Sequence, residues 1–309
     1  MTTTKFPVKY KNGNCDVELW DNGTKVRRWP DGEEPTVEFP ESIDLKITNW
    51  CDGWCWHCHE RSTTSGQHAD EYKVWALLRD LPAGVEIALG GGDPLSYPYL
   101  EELLLTLREQ GLVVNITVNM KHLERHRELI KTLRRRKMIH GLGMSYDKEV
   151  FVPKDLIHEN NVVHFIAGVH SPADARDYLD SLRFIMNPTG SVESIDYTFK
   201  KMLLLGYKSH GRGESKSFDH VKEGVLEWAY KMPSLYRKWG YVAFDTLSLQ
   251  QFGDEPCIPG QHGQFFMGAD GEFTMYVDAV KMEYAKSSIS PRMALKPMQT
   301  AREAFKEGL

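Results

Sequence analysis

Cys51, Cys55 and Cys58 stand at the spacing CxxxCxxC within CDGWCWHC (51–58), directly after the alternating run SIDLKITNW (42–50). Three thiolates on so short a stretch can converge on one soft centre, because closing the loop between them costs little entropy. Thiolates are ligands of zinc and of iron–sulfur clusters. A closed structural zinc site wants four ligands, and His57 or His59 is placed to be the fourth. Three thiolates alone leave one metal corner open to a substrate or cofactor. On the cysteines by themselves, the two chemistries stand level.

A second segment separates them. VEIALGGGDPL (85–95) reads as a buried strand that ends in glycine-rich backbone and an acid. With both motifs in order, each at a strand end, the chain resembles the radical S-adenosylmethionine (SAM) superfamily. The signature of that family is CxxxCxΦC after the first strand, with Φ aromatic, and a GGE(P) motif closing the second. Here His57 occupies Φ, and Gly91-Gly92-Asp93-Pro94 carries Asp where the family has Glu. The resemblance implies one [4Fe–4S] cluster on Cys51, Cys55 and Cys58, with SAM chelated at the open iron. It also implies an external electron donor such as flavodoxin or ferredoxin, and a 5′-deoxyadenosyl radical that takes hydrogen from an organic substrate.

By motif position, Gly91, Gly92 and Asp93 match the segment that receives the methionine amino group. Glycine lets backbone approach closely, and Asp is one methylene shorter than Glu. His57 stands where the family stacks an aromatic on adenine. Ser145, in GLGMSYD, matches a polar position for ribose or carboxylate, and Ile166 and Gly168, in HFIAGVH, match an adenine contact.

Other residues are candidates for handling substrate. LLLGYKSHGRGES (203–215) puts Lys208, His210 and Arg212 on a glycine-punctuated loop, suited to a phosphate or carboxylate. ITVNMKH (116–122) ends a strand with Asn119 and His122, the latter expected as the start of a helix. His59, Glu60 and Arg61 crowd the third cysteine, where they could orient SAM or tune the cluster. Cys257, Tyr276 and Asp278 are candidates for returning a hydrogen atom to a radical. Cys15 reads as a half-buried strand residue. Two scattered cysteines cannot build an auxiliary cluster, so a single cluster is expected.

The elements that must position these groups are set by periodicity. Asn12-Gly13 and Asn22-Gly23 predict two tight turns and a three-stranded N-terminal meander. Strands are expected at Ile43–Thr48, Val85–Leu89, Val113–Asn119, Gly141–Tyr146, Val162–Val169, Met202–Gly206 and Val242–Leu247. Helices are expected at Asp70–Leu81, Tyr97–Gln110 and His122–Lys137. Such alternation specifies a parallel sheet with right-handed crossovers. The resemblance makes it an α/β partial (β/α)6 barrel, with ligands at the carboxyl ends of the strands. The division expected is 1–41 meander and linker, 42–250 barrel core, and 251–309 an extension with a hairpin at Asp270-Gly271 and a helix over Met298–Glu307.

Across 309 residues, 41% hydrophobic and 26% charged content are ordinary for a soluble globular chain. The net charge of −5 exerts no general pull on nucleic acid or anionic membrane. No run is long and apolar enough to span a bilayer, the first residues lack a signal-peptide core, and the cysteine pattern suits a reducing compartment, so a cytoplasmic location is expected. The leading function is a radical SAM enzyme whose substrate leans to a small molecule or nucleoside/nucleotide, since the cysteine-rich extension common in peptide modifiers is missing. The alternatives are a peptide-modifying radical SAM enzyme and a zinc- or cluster-stabilised nucleic-acid-binding module, the latter motivated by Arg134-Arg135-Arg136.

Overall fold

A computed structural model of the chain describes residues 5–186, 199–253 and 268–308. Strands β1 (Val8–Asn12), β2 (Cys15–Leu19) and β3 (Lys25–Arg28) form an antiparallel meander, turned at Gly13 (φ +62°) and Gly23 (φ +87°). Cys15 is fully buried in its middle strand. The meander is tied to the rest of the chain by the Asn12 side chain, which donates to Phe39 O (2.9 Å) and accepts from Glu38 N (2.8 Å), and by ion pairs of Lys25 with Glu86 (2.8 Å) and Arg27 with Glu41 (2.7 Å).

The main sheet has ten strands in the order β10-β9-β8-β7-β6-β5-β4-β11-β12-β13. Its strands are β4 (Ser42–Thr48), β5 (Glu86–Gly91), β6 (Val113–Asn119), β7 (Gly141–Ser145), β8 (Asn161–Ile166), β9 (Lys201–Leu205), β10 (Tyr241–Phe244), β11 (Thr274–Asp278), β12 (Glu283–Ala285) and β13 (Met293–Ala294). From β10 through β4 to β11 every pairing is parallel, and only β12 and β13 run antiparallel. Helices α1 (Glu71–Leu78), α2 (Leu100–Glu109), α3 (Arg127–Arg135), α4 (Pro172–Met186) and α5 (Phe218–Tyr236) lie in the crossovers, α6 (Thr246–Phe252) comes after β10, and α7 (Ala301–Gly308) closes the chain. This is the open, mixed α/β sheet of a partial barrel, with no closed barrel among the described residues.

The sequence dictates how the sheet is used. In a parallel sheet buried on both faces, strands read as continuous apolar runs. Here they alternate. Ile43, Leu45 and Ile47, then Ile87 and Leu89, then Ile116 and Val118, are all at most 1% exposed and belong to the core shared with the helices. Because side chains alternate and the register is fixed, Asp44, Lys46 and Thr48 share the other face with Asn115, Thr117 and Asn119, with Ser145, and with Tyr276 and Asp278. One face is the core and the other is a polar cleft.

Several expectations are corrected. The helix expected from His122 begins at Arg127, because Asn119 accepts from Lys121 N (2.9 Å) and starts a separate 3-10 turn at Met120–His122. Asp270-Gly271 does form a turn (Gly271 φ +84°), and the arm expected before it lies outside the described residues; the strand after it pairs parallel with β4 and antiparallel with β12, reached through Met282. Two residues of the basic run are engaged within the chain. Arg134, half-buried, donates to Leu156 O (2.8 Å) and to the Asn161 side chain, and Arg136 pairs with Glu101 (2.6 Å). Among the described residues, no helix is long and apolar enough to cross a membrane.

Candidate metal and cofactor site

Beyond Thr48 the chain leaves the sheet and returns at Ala69, stitched to itself on the way. Asn49 N donates to Gln67 O (2.7 Å), Cys51 N to Thr63 O (2.9 Å) and Ala69 N to Ile47 O (2.9 Å). All three cysteines of the triad ride on this loop, half-buried and free. A second loop clamps it from outside. Arg212 Nε donates to Cys55 O (2.8 Å), Arg212 Nη1 to Ser62 O (2.8 Å), and Arg212 N to Cys58 O (2.9 Å). Gly211 must be glycine for this approach, since its φ is +62° and a Cβ would stand 2.3 Å from His59 O.

The donor set fits a thiolate-bound metal. Gly53 N–H points at Cys51 Sγ (3.3 Å), and Asn119 Nδ2 at Cys55 Sγ (3.6 Å), as hydrogen bonds to metal-bound sulfur do. A Cβ on Gly53 would lie 3.3 Å from Cys51 Sγ and 3.8 Å from Cys55 Sγ, so the glycine keeps space between two sulfurs. Burial, with Cys58 next to it, pushes the Cys55 thiol up from its ordinary value. A metal ion reverses that preference by taking the thiolate.

The glycine turn at the end of β5 packs onto the root of this loop. Gly92 N–H donates to Thr48 O (2.8 Å) and Asp93 N–H to Trp50 O (2.8 Å). At Gly91 φ is +116° and a Cβ would be 2.3 Å from Thr48 O; at Gly92 it would be 2.1 Å from Trp50 O. Asp93 itself is fully buried and heavily engaged. Its Oδ2 accepts from Arg125 Nη2 (2.6 Å), Ser96 Oγ (2.7 Å) and His126 Nε2 (2.9 Å). Burial opposes the charge, but these partners and His122 overcome it and hold the carboxyl well below the usual carboxylate range. Only Oδ1 has no hydrogen bond.

His122 lies between the two motifs, with its side chain 4% exposed. Nδ1 is 3.4 Å from Asp93 Oδ1 and Nε2 is 3.2 Å from Asp52 Oδ1, yet neither nitrogen makes an aligned hydrogen bond. Cys51 Sγ, an Asp52 oxygen and a His122 nitrogen all lie within 4.8 Å of one another. Burial disfavours an imidazolium here, but Asp93 and Cys51 push its pKa up to about 9.

The remaining candidates divide by place. Ser145 sits beside Asn119 across the β6–β7 register, at the cleft's edge. Ile166 ends β8, and its N–H donates to His170 Nδ1 (2.9 Å). Gly168 (φ +81°) is required by helix packing, since a Cβ would stand 2.7 Å from Val221 Cβ on α5. Burial, with His170 nearby, pushes His57 down to about 4; its Nδ1 is buried without a partner and its ring is 6.2 Å from that of His170.

On the other side of the cysteine loop, a cavity of about 650 Å³ is lined by His59, Glu60, His210, Asp278 and Arg292 among others. Buried Lys46 pairs there with Glu60 (2.6 Å) and Asp278 (3.0 Å), and Tyr276 Oη donates to Glu60 (2.7 Å) under the Arg292 guanidinium, 3.9 Å from its ring centre. Lys208 reaches a lining residue, Ser288 (2.7 Å). Thus Lys208 and His210 border the cavity while Arg212 is spent on the cysteine loop. Cys257 lies outside the described residues. Sequence reasoning passed over Lys46, Arg125, His126 and Arg292. Only Lys46 carried a signal, a charge on the polar side of an alternating strand.

A family model described as the radical SAM superfamily matches residues 45–148, which include both motifs. No curated protein matches the sequence. Among solved structures, Streptococcus suis SuiB is similar with a TM-score of 0.59 at 11% identity, over 100% of this chain and 87% of that one. SuiB bound to the precursor peptide SuiA gives 0.57 at 12% identity, and SuiB bound to S-adenosylmethionine gives 0.53 at 12%. In those two the match covers 88% of this chain but 66% and 65% of the other, just under two thirds of their length. At these identities the likeness is one of fold.

Proposed function

We propose that the chain acts as a radical SAM enzyme, as the family match over residues 45–148 suggests, and cleaves SAM reductively at a single [4Fe–4S] cluster held by Cys51, Cys55 and Cys58. When bound, the cluster and SAM would supply, with one electron from an external donor, radical chemistry able to take hydrogen from an unactivated carbon. The observation that carries the reading is the contact between motifs: the backbone N–H groups of Gly92 and Asp93 donate to Thr48 O and Trp50 O at the foot of the loop bearing all three thiols.

The chain's own residues hold and shield. The backbone at Gly90–Gly92 is the surface offered to the methionine end of SAM; a Cβ at Gly90 would meet nothing within 4 Å, so that face is open. Asn119 Nδ2 and Gly53 N–H steady the sulfurs. Neutral His57 offers a flat ring to adenine, and Ser145 a hydroxyl at the cleft edge. Tyr276 and Asp278 are 4% and 3% exposed and bound to Glu60 and Lys46, which supports a role in fixing the cavity wall over one in returning hydrogen.

The cavity beside Glu60 is the substrate's place in this reading. Its lining is charged in both signs, with Lys281, Glu283 and Arg292 alongside Lys46 and Asp278, which suits the mixed charges and backbone of a peptide. That favours a peptide over a nucleotide, and SuiB in complex with its precursor peptide is a neighbour in fold. Anaerobic turnover with deuterated candidate peptides tests it. Label appearing in 5′-deoxyadenosine supports the peptide class, whereas label delivered only from nucleosides rejects it.

A further inference from the structure

The acid of the glycine turn and the first cysteine of the cluster loop are joined by one buried side chain. Asp93 has Oδ2 saturated by Arg125, Ser96 and His126, and its remaining oxygen faces His122 Nδ1 at 3.4 Å. The opposite nitrogen, Nε2, lies on the cysteine side of the ring, since a Cβ on Gly53 would be 3.4 Å from it and 3.3 Å from Cys51 Sγ. Both nitrogens are fully shielded and neither has an aligned partner among the described residues. A buried N–H without an acceptor costs about 1–3 kcal/mol, so a fold that keeps one has a use for it elsewhere.

We propose that His122 is a positioning residue for the cluster: with a carboxylate oxygen opposite each ring nitrogen it carries hydrogen on both, Asp93 accepts from Nδ1–H, and Nε2–H is thereby aimed at the Cys51 sulfur, stabilising negative charge there and raising the cluster's reduction potential. The inference rests on the cluster assignment made above. It gives the Asp that replaces Glu a different task. A carboxylate one methylene shorter, already held by Arg125, Ser96 and His126, turns its remaining oxygen to His122. Each piece of the line is fixed independently. The 3-10 turn Met120–His122 is started by Asn119, whose own amide reaches Cys55, so the same turn delivers donors to two of the three sulfurs. Asp52 Oδ1, 3.2 Å from Nε2, competes for that proton, but it is partly exposed and drawn away by Arg125. Hydrogen bonds to cluster sulfur shift electrons toward the reduced state, and removing one makes reduction harder.

The test is a redox titration of the anaerobically reconstituted protein without SAM, monitored by electron paramagnetic resonance. Iron and sulfide content are measured on the same samples. His122→Phe, which keeps a flat ring and removes both donors, moves the midpoint to more negative values by about tenfold in the reduction equilibrium, or about 59 mV for one electron. His122→Gln, which keeps a donor, restores most of it, and Asp93→Asn moves it in the same direction as Phe. An unmoved midpoint in His122→Phe with full iron overturns the proposal and leaves the cluster assignment standing. Wild type that assembles no iron–sulfur cluster overturns both. Should His122→Phe not hold iron, wild type labelled with ¹⁵N-histidine decides instead. A weak ¹⁵N coupling to the reduced cluster that is altered in His122→Gln is expected, and its absence in wild type rejects the contact.

Discussion

Arg212 holds Cys55 by its carbonyl, not its sulfur. Nε donates to Cys55 O and Nη1 to Ser62 O, both at 2.8 Å, so one guanidinium from the loop after β9 spans the cysteine loop from its middle to its far end. Charged donors of this kind contribute about 1.5–3 kcal/mol each. Arg212→Leu therefore leaves the sheet folded but loosens the loop by roughly 3 kcal/mol. The expected result is iron lost on gel filtration of reconstituted protein and faster proteolysis within 51–63. Iron retention and cleavage rates equal to wild type would show that the clamp is dispensable.

Lys46 sits between two carboxylates inside the cleft, with Glu60 at 2.6 Å and Asp278 at 3.0 Å and all three side chains at most 9% exposed. Removing one member of a buried ion network strands the others. Lys46→Met should cost about 3–5 kcal/mol by urea unfolding, and Lys46→Met combined with Glu60→Gln should recover part of it. A loss below about 1 kcal/mol would place the pair in solvent, where such bridges contribute little.

The neighbouring glycines Gly90 and Gly91 should respond oppositely to alanine. At Gly91 the backbone is left-handed (φ +116°) and a Cβ would collide with Thr48 O at 2.3 Å; at Gly90 there is open space. Gly91→Ala should lower the melting temperature through strain of at least ~1 kcal/mol plus the clash, whereas Gly90→Ala keeps the fold. Equal melting temperatures for the two variants would refute the assigned turn geometry.

Acid sensitivity should begin well above the carboxylate range. Burial pushes His164 and His170 from 6.5 down to about 4, so the fold keeps them neutral. Their contribution is complete above pH 6.5 and is lost as the pH falls toward 4, because the unfolded chain takes up protons first. Between pH 7 and pH 5 the loss is about 2 kcal/mol for each. Asp93 and Glu60, both held low, begin to fail only below that window. Urea midpoints at the two pH values should converge in a His164→Asn/His170→Asn variant. An unchanged difference would assign the effect to other groups.

Much of the fold was legible because parallel strands ending in motif residues leave strong local traces. The runs at 43–48, 85–89 and 113–119 foretell β4, β5 and β6 within two residues at either end. The polar alternation in DLKIT and NITVN already described a sheet with one face turned to a cleft. What the sequence withheld was contact between distant segments. Nothing local says that Arg212 serves Cys55, that Asp93 is met by Arg125 and His126, or that β11 adds parallel to β4. The last escaped because turn residues announce that the chain reverses, while the choice of strand partner depends on the free edge of a sheet already built. His122 resembles an ordinary helix start in the sequence for the same reason. Its burial comes from residues 29 positions before it and 70 before it, Asp93 and Asp52.

The most direct test is anaerobic reconstitution of wild type and Cys55→Ala, with iron, acid-labile sulfide and dithionite-driven formation of 5′-deoxyadenosine measured on the same samples. Wild type should bind about four irons and about four sulfides per chain and release 5′-deoxyadenosine, while Cys55→Ala, still folded by circular dichroism, should do neither. Tightly bound zinc without sulfide in wild type, or undiminished SAM cleavage by Cys55→Ala, would contradict the account.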